Sequence, residues 1–243
     1  MDKINQLQKI IDESKKTVFF GGAGVSTESG IPDFRSADGL YSIKINRHFS
    51  PEQLVSHTMY LKYPEEFYQF YKTHLIYPDA EPNFAHYYLA KLEQQEKLSA
   101  VITQNIDCLH EKAGSRKVLK LHGSVDKNTC IDCGKKYNLE EFLELYHNGI
   151  PHCPECNGII KPDVTLYEET PDMSVFDEAI RHLSRADTLI IGGTSLVVYP
   201  AASLIQYFRG NNLILINKSE TSQDNYADLV IHDRIGEVFK QLK

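Results

Sequence analysis

Four cysteines have the spacing of a metal site. Cys130 and Cys133 form one Cys-x2-Cys pair, Cys153 and Cys156 form a second, and 19 residues separate the two pairs. This spacing is typical of a tetrahedral zinc site with four thiolate ligands. Because four cysteines fill the coordination sphere, we expect a structural zinc ion that folds a segment too small to have its own core.

A glycine-rich segment follows a strand-like run. Thr17–Phe20 is β-branched and aromatic, and Gly22, Gly24 and Gly30 come directly after it. Glycines after a strand let the backbone approach a pyrophosphate, whose charge the following amides can bind. The spacing G-x-G-x5-G is longer than the dehydrogenase pattern, so a glycine turn without any ligand also fits it.

An aromatic and two charged residues extend this segment. Phe34 lies between Asp33 and Arg35. A dinucleotide offers a ring for Phe34 to stack on and a phosphate or ribose for Arg35 to bind. The alternative is a surface ion pair between Asp33 and Arg35, with Phe34 in the core.

A second polar segment follows another predicted strand, Ala100–Thr103. Gln104, Asn105 and Asp107 come next, and ligands of open α/β sheets bind at the carboxyl ends of strands. These three side chains can therefore converge on a ligand. Alternatively, Asn105 and Asp107 cap the next helix.

One histidine of the ten stands at a strand end. His122 follows the predicted strand Val118–Leu121 and precedes a glycine. A histidine in this place can act as a general base near neutral pH, although position alone leaves a structural role equally open. We expect His110 to lie on the surface of a helix.

The elements that carry these residues alternate between short apolar strands and helices. This alternation predicts an α/β fold with a parallel, Rossmann-like sheet and helices on both faces. Two stretches break it: a helical insertion over residues 36–79 and a cysteine-rich, loop-like insertion over residues 126–158. The predicted strands are Thr17–Phe20, Ala100–Thr103, Val118–Leu121, Thr188–Ile191, Leu213–Ile216 and Leu229–Ile231.

Composition excludes several classes of protein. Over 243 residues the net charge is −7, with 42% hydrophobic and 24% charged residues, which is ordinary for a globular chain. The negative charge argues against nucleic acid or an anionic membrane as partner.

The uncharged stretch Thr188–Phe208 contains glycine and proline, so it predicts a strand, a loop and a helix rather than a membrane-spanning helix. Since no secretory signal is visible, we expect a cytoplasmic protein.

Taken together, these segments resemble the sirtuins, and most of all their compact bacterial members. The resemblance covers nearly the whole chain, from about residue 15 to 239. The matching blocks are Gly22–Arg35, Thr103–Asp107 with Leu109-His110, Leu121–Gly123, the four cysteines, Lys161–Val164, Gly193–Pro200 and Ile214–Asn217.

The resemblance implies an NAD-dependent protein-lysine deacetylase. In that reaction the acyl oxygen of acetyl-lysine attacks C1′ of the nicotinamide ribose and nicotinamide leaves. His122 then acts as general base on the ribose hydroxyls, and the products are free lysine and O-acetyl-ADP-ribose. The implied domains are a Rossmann-like NAD-binding domain (residues 1–35, 80–125 and 159–243), the helical insertion (36–79) and the zinc-binding insertion (126–158).

The same resemblance assigns site residues. The phosphates and nearby ribose fall to Ala23, Gly24, Thr27 and Arg35; the nicotinamide pocket to Phe34, Ile106, Asp107 and Asn105; the ribose to Gln104 and His122; the adenosine half to Thr194, Ser195, Asn217 and Asp233. A substrate peptide is expected to bind as a strand between Val164, Leu166, Tyr167 and Glu168 on one side and Val197, Val198 and Tyr199 on the other.

The chain departs from the family pattern in several places, two of which concern the substrate. Tyr167-Glu168-Glu169 stands where Phe-Gly-Glu is usual, which replaces a glycine by a charged residue. Tyr68 and Tyr71 occupy the place of a Tyr-x-x-Arg motif that binds acidic acyl groups. Because a carboxylate needs a partner in an apolar pocket, we expect short neutral acyl groups, acetyl first.

Three other functions compete with deacetylation. An ordinary nicotinamide dehydrogenase fits the sheet, but the glycine spacing differs and no acidic ribose ligand follows a strand at the expected distance. A zinc-ribbon module for nucleic acid conflicts with the negative charge. ADP-ribosyl transfer to protein uses the same pocket and stays open. The expected partner is acetylated lysine in proteins or peptides, with no membrane or specific nucleic acid.

Overall fold

A parallel sheet of six strands organises the protein. The computed structural model describes residues 2–34, 39–40, 49–146 and 149–243. Strands are numbered along the chain, and the sheet order is β3-β2-β1-β7-β8-β9, with every pair parallel. The strands are β1 (Thr17–Gly21), β2 (Leu98–Thr103), β3 (Val118–Lys120), β7 (Thr188–Gly192), β8 (Asn212–Ile216) and β9 (Leu229–Ile231). The six predicted strands and the α/β class are thus confirmed.

The strand order creates a switch point between β1 and β7. From β1 the chain winds outward through β2 and β3, and after β7 it winds the other way through β8 and β9. Gly21 at the end of β1 pairs with Thr103 of β2 and with Gly192 of β7. The loops that leave these three strands therefore begin side by side, where open α/β sheets bind their ligands.

Helices cover both faces of this sheet. Side chains alternate along β1, so Phe19 lies on one face and Val18 and Phe20 lie on the other. Because both faces are covered, the sequence of the strand is a continuous apolar run. The first face packs against α1 (Lys3–Glu13), α5 (Phe84–Gln94) and α9 (Ile235–Phe239). The second packs against α8 (Met173–Leu183) and the 3₁₀ helix Ala201–Tyr207.

A second, antiparallel sheet carries the cysteine-rich segment. Its order is β5-β4-β6, formed by β4 (Gly123–Cys130), β5 (Lys136–Tyr137) and β6 (Ile160–Val164), and α7 (Leu139–Leu145) packs beside it. The prediction of a loop-like segment is therefore wrong in part. Strand β4 has a mixed sequence, and its partner β6 lies some thirty residues further along the chain, so only tertiary pairing reveals it.

The helical insertion and the second sheet share one apolar core. The insertion contains α2 (Pro51–Leu54), α3 (His57–Lys62) and α4 (Pro64–His74). Phe67, Tyr68 and Tyr71 of α4 pack with Phe142 of α7 and Ile160 of β6. One short helix, α6 (Leu109–Lys112), completes the set of α-helices in the described ranges. No helix in those ranges is both long enough and apolar enough to cross a bilayer.

Candidate active site and metal site

Two glycine loops meet at the switch point. Gly24 in the loop after β1 donates its N–H to the carbonyl oxygen of Gly193 in the loop after β7, at 2.8 Å. A β-carbon on Gly24 would lie 2.8 Å from the Cα of Gly193, and Gly193 itself has φ +59°. Because the two backbones touch, neither position accommodates a side chain. The contact fixes the 3₁₀ turn Ala23–Val25 over the carboxyl edge of the sheet.

Gln104 connects three of the loops at this edge. Its N–H donates to the carbonyl oxygen of Gly21 at 3.0 Å, and its Nε2 donates to Oγ1 of Thr194 at 3.1 Å. Thr194 is buried and also accepts the N–H of Leu196. The segments after β1, β2 and β7 are therefore held in one arrangement.

A buried polar chain runs beside the glycine loop. The Nδ2 of Asn105 donates to Oγ of Ser26 at 3.1 Å, and that hydroxyl donates to Oδ2 of Asp107 at 2.6 Å. The other carboxylate oxygen of Asp107 accepts the N–H of Leu109 at the start of α6. Asp107 thus bonds the first N–H of α6 from the position before the N-cap Cys108, so the alternative prediction holds for this residue only, while Asn105 turns towards the glycine loop. Sequence reasoning missed Ser26, although it is a hydroxyl residue inside the glycine segment.

His122 lies at the same edge with a defined tautomer. Its Nδ1 is 3.0 Å from the carbonyl oxygen of Gln104, which can only accept, so Nδ1 carries the hydrogen and Nε2 has the lone pair in the neutral ring. Burial lowers the pKa of His122, and the hydrogen bond to Gln104 opposes this shift. The imidazole is therefore neutral near pH 7 and suited to accept a proton.

His110 is a core residue, so the prediction that it lies on a helix surface is wrong. Its side chain is 1% exposed and packs 4.7 Å from the ring of His86 and 6.1 Å from that of Phe19. Burial holds the pKa of His110 well below its ordinary value. One face of α6 therefore packs against β1 and α5, which the sequence of a four-residue helix does not reveal.

Other predicted residues lie along the same carboxyl edge. Asn217 follows β8 and donates its Nδ2 to the carbonyl oxygen of Ser219 at 2.7 Å, while Asp233, beyond β9, accepts the N–H of Arg234 at 2.7 Å. Thr27 donates its hydroxyl to the carbonyl oxygen of Gly24.

The remaining assigned residues differ in exposure. Ser195 is exposed, whereas Phe34 and Ile106 are half-buried. Ala23 is half-buried, and its N–H makes no hydrogen bond to any residue in the described part of the chain. Arg35 lies outside the described residues.

The two segments expected to bind a peptide each connect to this edge. The N–H of Thr165 donates to the carbonyl oxygen of His122 at 2.9 Å, and Val164 and Leu166 are buried. Val197 and Tyr199 follow the loop after β7 and are exposed, Tyr199 by 74%. Val198 is half-buried, and Tyr167 and Glu168 are partly or fully exposed beside the helical insertion.

The four cysteines converge on one point of the second sheet. Their Sγ atoms all lie within 4.8 Å of one another; Cys130 and Cys156 are 3.4 Å apart, and Cys133 and Cys153 are 3.7 Å apart. Zinc–sulfur bonds of about 2.3 Å in a tetrahedron place sulfurs about 3.8 Å apart, so the cluster fits zinc. The hydroxyl of Tyr137 donates to Sγ of Cys153 and lowers its pKa, which favours the thiolate.

The sheet order and the polar carboxyl edge define a doubly wound α/β protein with its ligand site at the switch point. Within that class, the model of the Sir2 family matches residues 22–200. The chain belongs to the Sir2 family, which confirms the resemblance to sirtuins.

Relatives of known name are similar over almost the full length. The NAD-dependent protein deacetylase of Clostridium perfringens is 62% identical over 98% of this chain and 97% of its own. The protein of the same name from Staphylococcus aureus strain N315 is 44% identical over 98% and 97%.

Solved structures of Sir2 proteins share the fold. One Sir2 variant, solved with deacetylated p53 peptide and 3′-O-acetyl-ADP-ribose, has a TM-score of 0.90 and 39% identity over 98% of this chain and 96% of that chain. A complex of Sir2 with p53 peptide and NAD has a TM-score of 0.85 and 40% identity over the same shares of the two chains.

Proposed function

We propose that this chain is an NAD-dependent protein-lysine deacetylase. The observation that carries the proposal is the neutral imidazole of His122, held with its lone pair on Nε2 at the switch point beside the glycine loops. The full-length similarity to named deacetylases supports it. The proposed products are nicotinamide, O-acetyl-ADP-ribose and the free lysine.

The carboxyl edge fits NAD. The N–H of Ala23, which has no partner among the described residues, and the turn Ala23–Val25 suit the phosphates, which Thr27 and Arg35 would also bind. Bound NAD supplies the ribose C1′ from which nicotinamide is displaced by the acyl oxygen of acetyl-lysine. On either side of the phosphates, Phe34, Asn105, Ile106 and Asp107 would enclose the nicotinamide, Gln104 would bind the ribose, and Thr194, Ser195, Asn217 and Asp233 would hold the adenosine half.

The proton is then handled by His122. With Nδ1–H donated to Gln104, Nε2 accepts a proton from a ribose hydroxyl and so activates that oxygen towards the acyl carbon. The chain Asn105–Ser26–Asp107 keeps its polar atoms paired with each other, which holds the pocket wall in place before substrate binds.

The substrate would bind as a strand. We propose that the peptide lies between the segments 164–168 and 197–199 and bonds through its backbone, so that sequence selectivity is low. The acyl group is proposed to be short and neutral. Tyr68 is fully buried with its hydroxyl on the carbonyl oxygen of Ile160, and Tyr71 is fully buried too, so neither offers an acidic acyl group a cation.

The remaining assignments extend this proposal to the whole chain. The zinc ion would be structural, since Cys130, Cys133, Cys153 and Cys156 leave no open ligand position. Residues 1–35, 80–125 and 159–243 would form the NAD-binding domain, with insertions over 36–79 and 126–158. The paired thiols suit a reducing compartment, so we place the protein in the cytoplasm.

One experiment tests the activity directly. The purified protein is incubated with NAD and an acetyl-lysine peptide. The masses of the products are measured by mass spectrometry and compared with those from the peptide alone. We expect nicotinamide, O-acetyl-ADP-ribose and a peptide that has lost one acetyl group. Appearance of the absorbance of reduced nicotinamide would indicate a dehydrogenase instead, and a peptide gaining ADP-ribose would indicate transfer to protein.

A further inference from the structure

Glu168 has a backbone conformation that side chains normally avoid. Its φ is +75°, in the left-handed region, and it is neither glycine nor asparagine. It stands where the sirtuin pattern has glycine, which adopts this conformation without strain. Something in the chain must therefore hold Glu168 there.

The carboxylate of Glu168 is anchored to the helical insertion. Its Oε2 accepts the backbone N–H of Thr58 at 2.8 Å and the hydroxyl of Thr58 at 2.7 Å. These two hydrogen bonds lower the pKa of Glu168, so the group is charged at neutral pH. Hydrogen bonds to a charged acceptor are stronger than those between neutral groups.

The neighbouring backbone faces the same insertion. Tyr167 donates its N–H to the carbonyl oxygen of Val55 at 3.1 Å and accepts the N–H of His57 at 2.9 Å. The next side chain along, Glu169, contacts Nδ1 of His57 at 2.9 Å. One edge of the segment 166–169 is therefore occupied by residues 55–58.

The backbone of Glu168 itself is unused. Within the part of the chain that the structure describes, neither its N–H nor its carbonyl oxygen makes a hydrogen bond. Tyr167 and Glu168 are the two central residues of a turn that the N–H of Glu169 closes on the carbonyl oxygen of Leu166 at 3.0 Å, and Tyr167 already uses the edge that faces the insertion. The free groups of Glu168 thus offer a donor and an acceptor for an incoming strand.

We propose that Glu168 is a positioning residue for the substrate peptide: its carboxylate, held by Thr58, fixes its own backbone in the left-handed conformation that presents N–H and C=O to the peptide. This inference rests on the proposed function. A glycine can adopt the conformation but is not held in it, whereas the anchored glutamate is organised before the peptide arrives, which reduces the entropy lost on binding.

A series of variants at one position separates the anchor from the strain. Glu168→Ala keeps the β-carbon and loses the anchor, so binding of a fluorescent acetyl-lysine peptide, measured without NAD, should weaken about tenfold. Glu168→Gly loses the anchor but also the strain, and Glu168→Gln keeps an acceptor oxygen, so both should weaken binding less than alanine does. KM for the peptide should follow this order, while kcat and KM for NAD stay within about twofold.

Two further variants keep the test decisive. Thr58→Val removes one of the two donors and should weaken peptide binding by itself, but add nothing to Glu168→Ala, since both break the same contact. Glu65→Ala, an exposed glutamate in the first turn of α4, is the matched control and should bind like wild type. If Glu168→Ala unfolds, as melting would show, the milder Glu168→Gln and Thr58→Val decide.

Wild-type peptide affinity in Glu168→Ala, or an equal rise of KM for NAD, would overturn the inference. These results would leave the proposed function untouched, provided that the wild-type protein deacetylates the peptide. A wild-type protein that releases no nicotinamide in the presence of acetyl-lysine peptide would instead overturn the proposed function.

Discussion

At the scale of single residues, the proposed chemistry depends on one nitrogen, Nε2 of His122. Replacing it with alanine removes the proposed base without disturbing a core side chain, so kcat should fall by about 10²- to 10⁴-fold. The thermal melting curve should match wild type. His182→Ala is the control, because that ring is half-exposed on α8 and hydrogen-bonds Ser99, away from the carboxyl edge. Deacetylation by His122→Ala at the rate of the control would exclude this imidazole from the mechanism.

Tyr68 and Tyr71 set a second expectation at this scale, concerning the acyl group. The purified enzyme should cleave an acetyl-lysine peptide faster than the succinyl-lysine peptide of the same sequence. Neither tyrosine offers a succinyl carboxylate a cation to replace its lost hydration, and that loss costs several kcal/mol in an apolar site. Comparing kcat/KM for the two peptides checks the prediction, and faster cleavage of the succinyl peptide contradicts it.

The role of a residue was predictable where its chemistry and its position in the sequence indicate the same site. It was less predictable where burial determines the role. The cysteine spacing specifies a tetrahedral cluster, and the four sulfurs do converge. His110 shows the limit: a histidine is read as polar, yet here packing against Phe19 and His86 places it in the core. Ser26 shows another limit, since the role of a hydroxyl depends on Asn105 and Asp107, about 80 residues away.

At the scale of elements, the contact between the loops after β1 and β7 depends on a missing side chain. Gly193→Ala would place a β-carbon against the backbone of Gly24 and Val25 while also requiring φ +59°. We expect it to lower the free energy of unfolding by more than 2 kcal/mol, because strain and overlap add. Urea denaturation followed by circular dichroism gives the value.

Gly114→Ala is the matched control for this prediction. Gly114 also has positive φ, at +104°, but a β-carbon there meets nothing within 4 Å. The free energy of unfolding of that variant should fall by only about 1 kcal/mol, which is the conformational cost alone. Equal losses in the two variants would show that the loops do not press on each other as the structure indicates.

The six parallel strands were predictable because each is a short apolar run between helices, and their ends differ from prediction by at most two residues. The second sheet was not. Strand β4 alternates buried and exposed residues irregularly and bends at a register shift between Gly123 and Asn128. Its partners are fixed by the cysteine cluster and by aromatic side chains of α4, which no local pattern reveals.

At the scale of the whole molecule, the cluster of four cysteines and the helical insertion share a core. Cys130 and Cys153 pack in the same apolar cluster as Phe67 and Tyr71 of α4. Removing zinc should therefore loosen α4 as well as the second sheet, because a structural site supplies folding free energy to what packs on it. Amide hydrogen exchange should rise in residues 64–74 after chelation and stay unchanged in β1.

The zinc prediction can also be tested by substitution of a cysteine, with a second cysteine as control. Cys130→Ser should lose bound zinc, measured by atomic absorption, and show the same faster exchange without a chelator. Cys108→Ser removes a thiol outside the cluster and should retain the metal. Full zinc content in Cys130→Ser would contradict the four-thiolate site, and exchange confined to the second sheet would contradict the shared core.

The buried pair His86 and His110 links the stability of the whole fold to pH. Burial lowers the pKa of His86 from 6.5 to about 4 and holds that of His110 well below its ordinary value. Because the unfolded chain binds these protons more readily, stability is full above pH 6.5 and falls as the pH drops towards 4. For His86 alone the loss amounts to about 3 kcal/mol.

We expect the denaturation midpoint in urea to fall between pH 7 and pH 5. In His86→Gln, which has no charge to gain and can still accept the N–H of Asn83, the midpoint should fall less. An equal fall in both proteins would assign the acid sensitivity to other groups.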